Sequence, residues 1–427
     1  MIRRWGVSLA IMLLAANFAF GQAEEVEPEP PPDEAQTPSA GASNRPLFSC
    51  FNGVPSWSRG AFSVQPEYML WFLKGTRNNL QISSTGILGT VDPGTVGMLG
   101  DTQQGQGPVA GGRLTIGYWQ IENNPWIPER SIRTLGSEMR LFFVGSRSVD
   151  FIADTAPDLF RPFFDVNNRI QSAFLVASPG IATGSINGHA NVSIWGAEVN
   201  AWKNIYYDKP GTTVAVDLMA GFRYLNGNSN LDLSSNSVFN QTIAADSAFA
   251  SFAGNRLLVM DSFATSNHFY GAQLGIKGQG WLIDYLRAEG SLRLALGNTA
   301  QDITIAGSQV RTFANGTRAI SNAGLLALPS NIGNHHTNRF SQVPEGDLKA
   351  LCPIGDHLTF SVGVSALYWN RVLRAVDQVD RSLDITQIPN FPFNAGATAT
   401  GLGRPGIPST RSDLWVVGIS FGVEVKW

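Results

Sequence analysis

The C-terminal segment LWVVGISFGVEVKW (414–427) alternates between two kinds of side chain along its length. Successive side chains of a β-strand point to opposite faces, so the segment predicts a strand with two different faces. One face is apolar with an aromatic residue at each end, and it carries Trp415, Val417, Ile419, Phe421, Val423, Val425 and Trp427. The other face is mostly small or charged, and it carries Val416, Gly418, Ser420, Gly422, Glu424 and Lys426. Such a strand fits between lipid on one side and a polar interior on the other.

The same design recurs in GGRLTIGYW (111–119), VAVDLMAGFRY (214–224), LRAEGSLRLAL (286–296) and HLTFSVGVSALYW (357–369). A soluble β-sandwich also alternates. These segments are longer than ordinary strands, however, and carry charges in the middle of the polar face. The pattern therefore predicts an all-β fold, an antiparallel up-and-down transmembrane β-barrel. The competing interpretation is a secreted β-sandwich that binds cell-surface polysaccharide.

The candidate strands number ten. They are 61–73, 111–121, 136–149, 191–205, 213–226, 267–278, 281–296, 357–371, a weak 379–388, and 413–427. The gaps between them alternate in length, as expected for long external loops and short periplasmic turns. Long gaps are 74–110, 150–190, 227–266, 297–356 and 389–412, and short gaps are 122–135, 206–212, 279–280 and 372–378. Twelve strands are the alternative if 170–177 or 302–313 enters the barrel. Both segments also fit as strand extensions above the membrane.

Aromatic residues at strand ends predict an interfacial girdle. Its candidates are Tyr118, Trp202, Tyr206, Tyr368 and Trp427. The polar faces predict a set of lumen-lining charges. These are Glu67, Arg113, Glu138, Arg140, Glu198, Asp217, Arg223, Lys277, Arg287, Glu289 and Arg293. Both signs are balanced, so in a narrow bore they would pair, because unpaired buried charge is costly. We expect either a plugged structural barrel or a narrow pore of weak ion selectivity.

The N-terminus has the composition of an export signal, with Arg3 and Arg4 before an apolar stretch and small residues near Gly21 and Ala23. The next stretch, EEVEPEPPPDEAQTPSAGAS, is acidic and rich in proline. It cannot bury enough apolar surface to offset its chain entropy. We therefore expect a signal peptide over 1–23, a disordered linker over 24–45 and an outer-membrane β-barrel over 46–427. Export leads to an oxidising compartment, where Cys50 and Cys352 either form a disulfide or remain two thiols.

Composition excludes several other classes of function. The net charge of −3 argues against nucleic-acid binding, and five histidines with two cysteines leave little material for a metal site. The segment TSNH (265–268) supplies Ser266, Asn267 and His268, the residue types that an outer-membrane lipase could use. Adjacent residues of a strand point to opposite faces, so these three do not form a catalytic triad by themselves. His335 and His336 have no third ligand nearby in sequence. We expect no enzymatic activity, no metal and no cofactor.

Several of these segments, taken together, resemble the planctomycete putative beta-barrel porin family, the seventh of the numbered families of that kind. The resemblance rests on PEYMLWFLKG, GGRLTIGYW, SEMRLFFVGSRS, VSIWGAEVNAWKN, DLMAGFRYLNGNSNL and HFYGAQLGIKGQGW, and it covers most of 61–427. It implies a porin-like passive channel for small solutes or a structural component of a Gram-negative-type outer membrane. It brings no catalytic residues.

The end of the chain also looks like the C-terminal signal that barrel-assembly machinery recognises in outer-membrane proteins. The residues concerned are Phe421, Val423, Val425 and Trp427. The expected partners are therefore that machinery and outer-membrane lipid.

Overall fold

The computed structural model describes residues 60–73, 84–85, 96–97, 107–124, 127–154, 156–207, 214–283, 285–392 and 401–427. They all belong to one compact unit, Pro46–Trp427. The predicted signal peptide (1–23), the predicted linker (24–45) and Cys50 lie outside the described residues.

Ten long strands form the wall of the molecule. They are β1 (Gly60–Leu73), β2 (Pro108–Asn124), β3 (Ile127–Ala153), β4 (Ala182–Tyr207), β5 (Ala215–Phe239), β6 (Arg256–Ile283), β7 (Leu286–Thr312), β8 (Gly333–Ile354), β9 (Leu358–Leu373) and β10 (Arg411–Lys426). Each strand pairs antiparallel with the next, and β10 returns to pair with β1, with Tyr68 opposite Phe421. The ring is therefore closed, because every wall strand pairs with a neighbour on each side over its lower part. The predicted ten-strand up-and-down barrel is confirmed.

The two ends of the barrel differ in the length of their connections. Short gaps lie at 125–126, 208–214, 284–285 and 355–357, and they define the short-turn end. Long gaps lie at 74–107, 154–181, 240–255, 313–332 and 374–410, and they define the long-loop end. β1 begins and β10 finishes at the short-turn end. The alternation itself follows the prediction, although several boundaries move.

Two assignments made from sequence are wrong: one predicted strand is not in the wall, and one wall strand was predicted as a loop. The number of wall strands therefore remains ten. The predicted strand 379–388 contains only the two-residue strand Ser382–Leu383 beside 3₁₀ turns. The predicted loop 297–356 contains most of β7's upper part and the whole of β8. Within β8, Pro344 and Gly346 imitate a turn, but pairing with β9 begins only at Glu345. Pro344 therefore lies where one side of the strand has no ladder to interrupt.

Neither segment of the twelve-strand alternative adds a strand to the ring. Ile170–Ala177 pairs with Leu159–Asp165 in a separate small sheet, and 302–313 is an extension of β7. The segment 372–378, predicted as a short turn, contains the last two residues of β9 and the start of the long connection 374–410. The gap 227–266, predicted as a long loop, is mostly strand.

The longest strands reverse their polarity part way along. On β5, Leu218 and Phe222 are exposed on the outer face, whereas Asp217 and Arg223 are buried inside. Beyond Tyr224 the outer face becomes polar. It carries Asn226, Asn228, Asn230, Asp232, Ser234 and Asn236. The inner face there includes the buried Leu225, Leu231, Leu233 and Phe239. The lower half of the strand thus has an apolar outer face that fits against lipid. The upper half has a polar outer face and an apolar inner face, as in strands of water-soluble proteins.

An apolar belt surrounds the lower half. On β10 the outer row runs from Trp415 to Trp427, and Val417 and Phe421 within it are exposed. Twelve steps of about 3.3 Å make about 40 Å along the strand, or about 30 Å along the barrel axis at a tilt of about 40°. That height matches a bilayer's hydrocarbon core of about 30 Å. Because this row faces outward from a single closed ring, the β-sandwich interpretation is wrong.

The upper half is a folded region that we call the head. Upper parts of β3 to β8 form its wall, and the described parts of 154–181, 240–255, 313–332 and 374–392 fill its inside. Its core combines wall residues such as Ile186, Leu231 and Phe263 with loop residues such as Leu325 and Phe391. The larger hydrophobic cluster of the described residues therefore lies beyond the membrane belt.

Among the described residues, no helix has the length and apolar character needed to cross a bilayer.

The polarity reversal predicts effects of very different size for substitution by arginine at two points on β7. Leu292, in the belt, is 58% exposed, so Leu292→Arg places a charge against lipid. We expect it to cost about 2–4 kcal/mol of the free energy of unfolding. Thr304→Arg, on the same face above the belt, should change it by no more than about 0.5 kcal/mol. Denaturant unfolding in lipid vesicles measures both, and equal costs would contradict the placement of the belt.

Candidate functional site

Ten buried or nearly buried charged side chains meet inside the barrel, and we call them the charge network. Among the described residues it joins five acids and five bases through salt bridges. They are Glu67, Glu138, Glu198, Glu345, Asp347, Arg113, Arg140, Arg223, Arg293 and Lys349. The network is electrically balanced.

Arg140 shows that the network spans the bore. It lies on β3, and its guanidinium contacts Glu198 at 2.9 Å on the neighbouring β4. It also contacts Glu345 and, at 3.3 Å, Asp347, both on β8. In a ring of ten, β3 and β8 are five strands apart and so face each other. One side chain thus links opposite walls.

Two further arginines, Arg113 on β2 and Arg223 on β5, also contact acids on β8 across the bore. The Arg113 Nε lies 2.5 Å from Glu67, and its Nη1 lies 2.8 Å from Asp347. Arg223, fully buried, lies 2.6 Å from Glu198 and 2.5 Å from Glu345. Such pairs offset a large desolvation cost only when both partners are present. The network therefore constrains how the walls face each other and occupies the centre of the bore.

An apolar layer lies directly above the charge network, towards the long-loop end. Nine of the ten wall strands contribute to it. Its members are Met69, Trp71, Phe142, Val144, Ile194, Leu225, Phe269, Ala295, Val343, Leu367, Trp369, Val372, Leu414 and Val416. The indole of Trp71 lies against Gly418, where an added Cβ would meet its ring at 2.5 Å. Glycine therefore makes room for a bulky ring that would otherwise not fit across the bore.

A vestibule of about 210 Å³ lies below the charge network, at the short-turn end. The predicted lumen residues Lys277, Arg287 and Glu289 line it. The Lys277 ammonium lies 4.3 Å from the centre of the Trp202 ring, and the Arg287 guanidinium lies 5.6 Å from that of Trp281. Asp217 lies beside it and accepts hydrogen bonds from Asn204 at 2.7 Å and Arg133 at 3.3 Å.

All eleven predicted lumen charges thus face the interior, seven of them in the network and four around the vestibule. Sequence reasoning missed Glu345, Asp347 and Lys349, because β8 was assigned to a loop. A signal was available in the alternation of Ser341, Val343, Glu345, Asp347, Lys349 and Leu351, which share one face of the strand.

The girdle prediction needs one correction. Tyr118, Tyr206 and Trp427 are exposed on the outer surface, and the ring of Tyr368 packs at a tilt against that of Trp415, with ring centres 4.5 Å apart. Trp202 is only 1% exposed and points inward instead. Trp202 shares the inner face with the buried Glu198 and Asn200. The β-bulge between Asn204 and Tyr206 then places Tyr206 on the outer face, despite its even spacing from Trp202. A further aromatic cluster, Trp195 with Tyr224 and Tyr270, marks the upper border of the belt.

The C-terminal strand closes the ring at its last residue. Backbone hydrogen bonds of 2.9 and 3.1 Å join Phe62 and Trp427, and their rings pack with centres 5.1 Å apart. Phe421, Val423 and Val425 lie on the outer row. Recognition of these four residues by assembly machinery stays a prediction. Cys352 is exposed near the lower end of β8, and its pairing with Cys50 also stays a prediction.

A single carboxylate fastens the head. Asp261, 1% exposed on β6, accepts hydrogen bonds from the backbone N–H groups of Leu325, Leu326 and Ala327 at 2.9, 2.8 and 2.8 Å. Its other oxygen accepts from Arg161 at 2.6 Å. The three N–H groups converge as in other anion-binding loop concavities. Asp261 therefore joins two long-loop connections to the wall.

The residues considered for catalysis and metal binding are separated by the fold. Asn267 points inward and donates to the Leu373 carbonyl at 2.9 Å, whereas His268 points outward to the Tyr224 hydroxyl at 2.9 Å. His336 contacts Asp302 at 2.8 Å, and His335 contacts the Asn331 carbonyl at 3.1 Å. Within the described ranges, no group of three metal-binding side chains is assembled.

Comparisons with known proteins agree with this architecture at the level of the family. The family model described as "Putative beta barrel porin-7" matches residues 64–427. No curated protein matches the chain in sequence. Among solved structures, that of the outer membrane protease OmpT from Escherichia coli is similar, with 6% identity, a TM-score of 0.37, and coverage of 86% of this chain and 96% of that one. A likeness so distant carries no argument about this chain. With a family match over most of its length and a closed ring of ten belted strands, the chain belongs to the putative beta barrel porin-7 family and is an outer-membrane β-barrel protein.

Proposed function

We propose that this protein is a closed outer-membrane barrel, a structural component that anchors a folded head at the cell surface and passes no solute in the described conformation. The short-turn end, with both ends of the ring's chain, would face the periplasm, and the long-loop end would face outward, as in outer-membrane barrels generally.

The succession of layers in the bore supports this proposal most directly. A solute entering the vestibule meets the charge network, then the apolar layer, then the core of the head. Ten-strand barrels lie near the size at which side chains alone fill the interior. Trp369 is fully buried in the apolar layer, and its indole N–H lies 3.4 Å from the Thr299 hydroxyl. Passage would therefore require several buried contacts to break together.

Planar-bilayer recording tests the proposal. We expect purified, folded protein to give no reproducible unitary conductance steps in concentrated potassium chloride. Flotation with liposomes and heat-modifiable migration must show, in the same preparation, that the barrel is folded and inserted. A known open porin in the same bilayer serves as the positive control. Reproducible steps from inserted protein would contradict a closed barrel.

A porin-like passive channel for small solutes is the second candidate. The water-accessible vestibule and the family's description as porins favour it. It would need the charge network and the apolar layer to rearrange, and the resulting pore would select weakly because both charge signs are present. The same recording distinguishes the candidates, since a channel of this kind predicts small, weakly selective steps.

A further inference from the structure

The vestibule contains two buried cations that form no salt bridge with a carboxylate of the described residues. Lys277 and Arg287 are each 8% exposed. Within the described part of the chain, neither nitrogen group has a carboxylate oxygen within 4.0 Å. Both lie over indole rings instead, and the Arg287 Nε has no hydrogen-bond partner. Buried cations are normally paired, so two incompletely paired ones in a cavity are an unusual arrangement.

The other charged groups of the cavity are largely committed to each other. Arg133 is paired with Asp217 at 3.3 Å and Lys349 with Glu67 at 2.9 Å. Glu424 lies 2.9 Å from Lys426, and Glu138 lies 3.7 Å from Arg293. Arg140 and Asp347 belong to the charge network, and Asp356 is exposed at the rim. Away from the exposed rim, Glu289 is the one described acid of the lining that no salt bridge pairs, against the two cations Lys277 and Arg287. This inner part of the cavity therefore has one more unpaired cation than unpaired acid.

The walls of the cavity are aromatic as well as charged. Trp119 and Trp281 line it, with the Arg133 guanidinium 4.4 Å from the Trp119 ring centre. Flat rings beside N–H donors suit a ligand with a flat apolar body and an anionic end. Cation–π contacts hold the donors in place without using all of their N–H groups.

We propose that the vestibule is a binding site for a small organic anion, a carboxylate or a phosphate ester with a flat apolar group, held by Lys277 and Arg287. The anion supplies the missing negative charge, and its apolar part packs against Trp119 and Trp281. The opening at the short-turn end admits it from that side only, because the charge network closes the other. This inference does not depend on whether the barrel conducts.

Titration of the full-length protein in detergent tests the proposal. The probes are phenyl phosphate, benzoate and the uncharged benzyl alcohol, at constant ionic strength. The measured signal is intrinsic tryptophan fluorescence, to which Trp119, Trp202 and Trp281 contribute. We expect a saturable change with at least one anion and none with benzyl alcohol. Comparison of phenyl phosphate with benzoate distinguishes a phosphate ligand from a carboxylate ligand.

Variants then locate the site. Lys277→Gln and Arg287→Gln should each weaken binding of the anion at least tenfold, whereas Arg256→Gln, an exposed change at the far end of β6, should leave it unchanged. Absence of saturable binding by wild-type protein would overturn the proposal, as would equal binding of benzyl alcohol. Unchanged affinity in the folded Lys277 and Arg287 variants would overturn it too. If either variant fails to fold, the comparison of anions with benzyl alcohol on wild-type protein still decides.

Discussion

Replacing Asp261 with alanine is expected to unfold the head while leaving the membrane barrel closed. The change removes the acceptor for three backbone N–H groups and leaves Arg161, 1% exposed, without its charged partner. Removal of one partner of a buried pair costs about 3–5 kcal/mol. We expect the connections 154–181 and 313–332 to become sites of rapid proteolysis, while heat-modifiable migration of the lower barrel persists.

Asp232→Ala is the matched control for this effect. Asp232 is exposed on the outer face of the adjacent β5, and among the described residues it accepts a hydrogen bond only from the Ser262 hydroxyl, at 2.6 Å. Its loss should cost no more than about 1 kcal/mol. The double variant Arg161→Met with Asp261→Asn should recover part of the loss, because it removes the unpaired charge. Equal protease resistance of Asp261→Ala and wild-type protein would show that Asp261 does not fasten the head.

Arg140→Met is expected to destabilise the membrane barrel itself. Methionine approximates the length of the side chain, but it removes the cation shared by Glu198, Glu345 and Asp347. These acids would remain buried with less compensation, at a cost of about 3–5 kcal/mol. We expect a lower denaturant midpoint in vesicles and a lower temperature for loss of the compact form on gels.

A surface pair provides the comparison. Arg404 lies 2.8 Å from Asp380, but its side chain is 52% exposed. Arg404→Met should therefore change the free energy of unfolding by about 1 kcal/mol or less. Adding Glu345→Gln to Arg140→Met should restore some stability. If Arg140→Met and Arg404→Met unfold at the same midpoint, the charge network does not hold the walls together.

Local pattern predicted most of the wall. Alternation depends only on the geometry of an extended chain, so segments such as β10 and the lower half of β5 revealed both their strand character and their outward and inward faces. The failures also have local causes. Pro344 and Gly346 concealed β8, and a bulge after Asn204 placed Tyr206 on the face opposite to Trp202. A one-residue irregularity is enough, because it exchanges the two faces of everything beyond it.

The upper halves of the long strands were harder to recognise. Outside the membrane, Asn226, Asn228 and Asn230 follow each other on the outer face of β5, and their polarity resembles that of a loop. Such a stretch forms a strand only if its inner face packs against a hydrophobic core. That core includes Leu325 and Phe391, which come from connections far along the chain.

By itself the sequence determined that the chain forms strands with an apolar outer face and a charged inner face. Each segment alone carries this information, because the alternation of its side chains and their polarity depend on no other part of the chain. Only the tertiary structure decided which charges meet, since Arg140 reaches Glu345 through closure of a ring and not through nearness in sequence. It also decided that the bore is filled and that a folded head stands on the barrel. Both depend on contacts between residues far apart in sequence, from 64 positions for Asp261 and Leu325 to 205 for Arg140 and Glu345, for which no local pattern provides a signal.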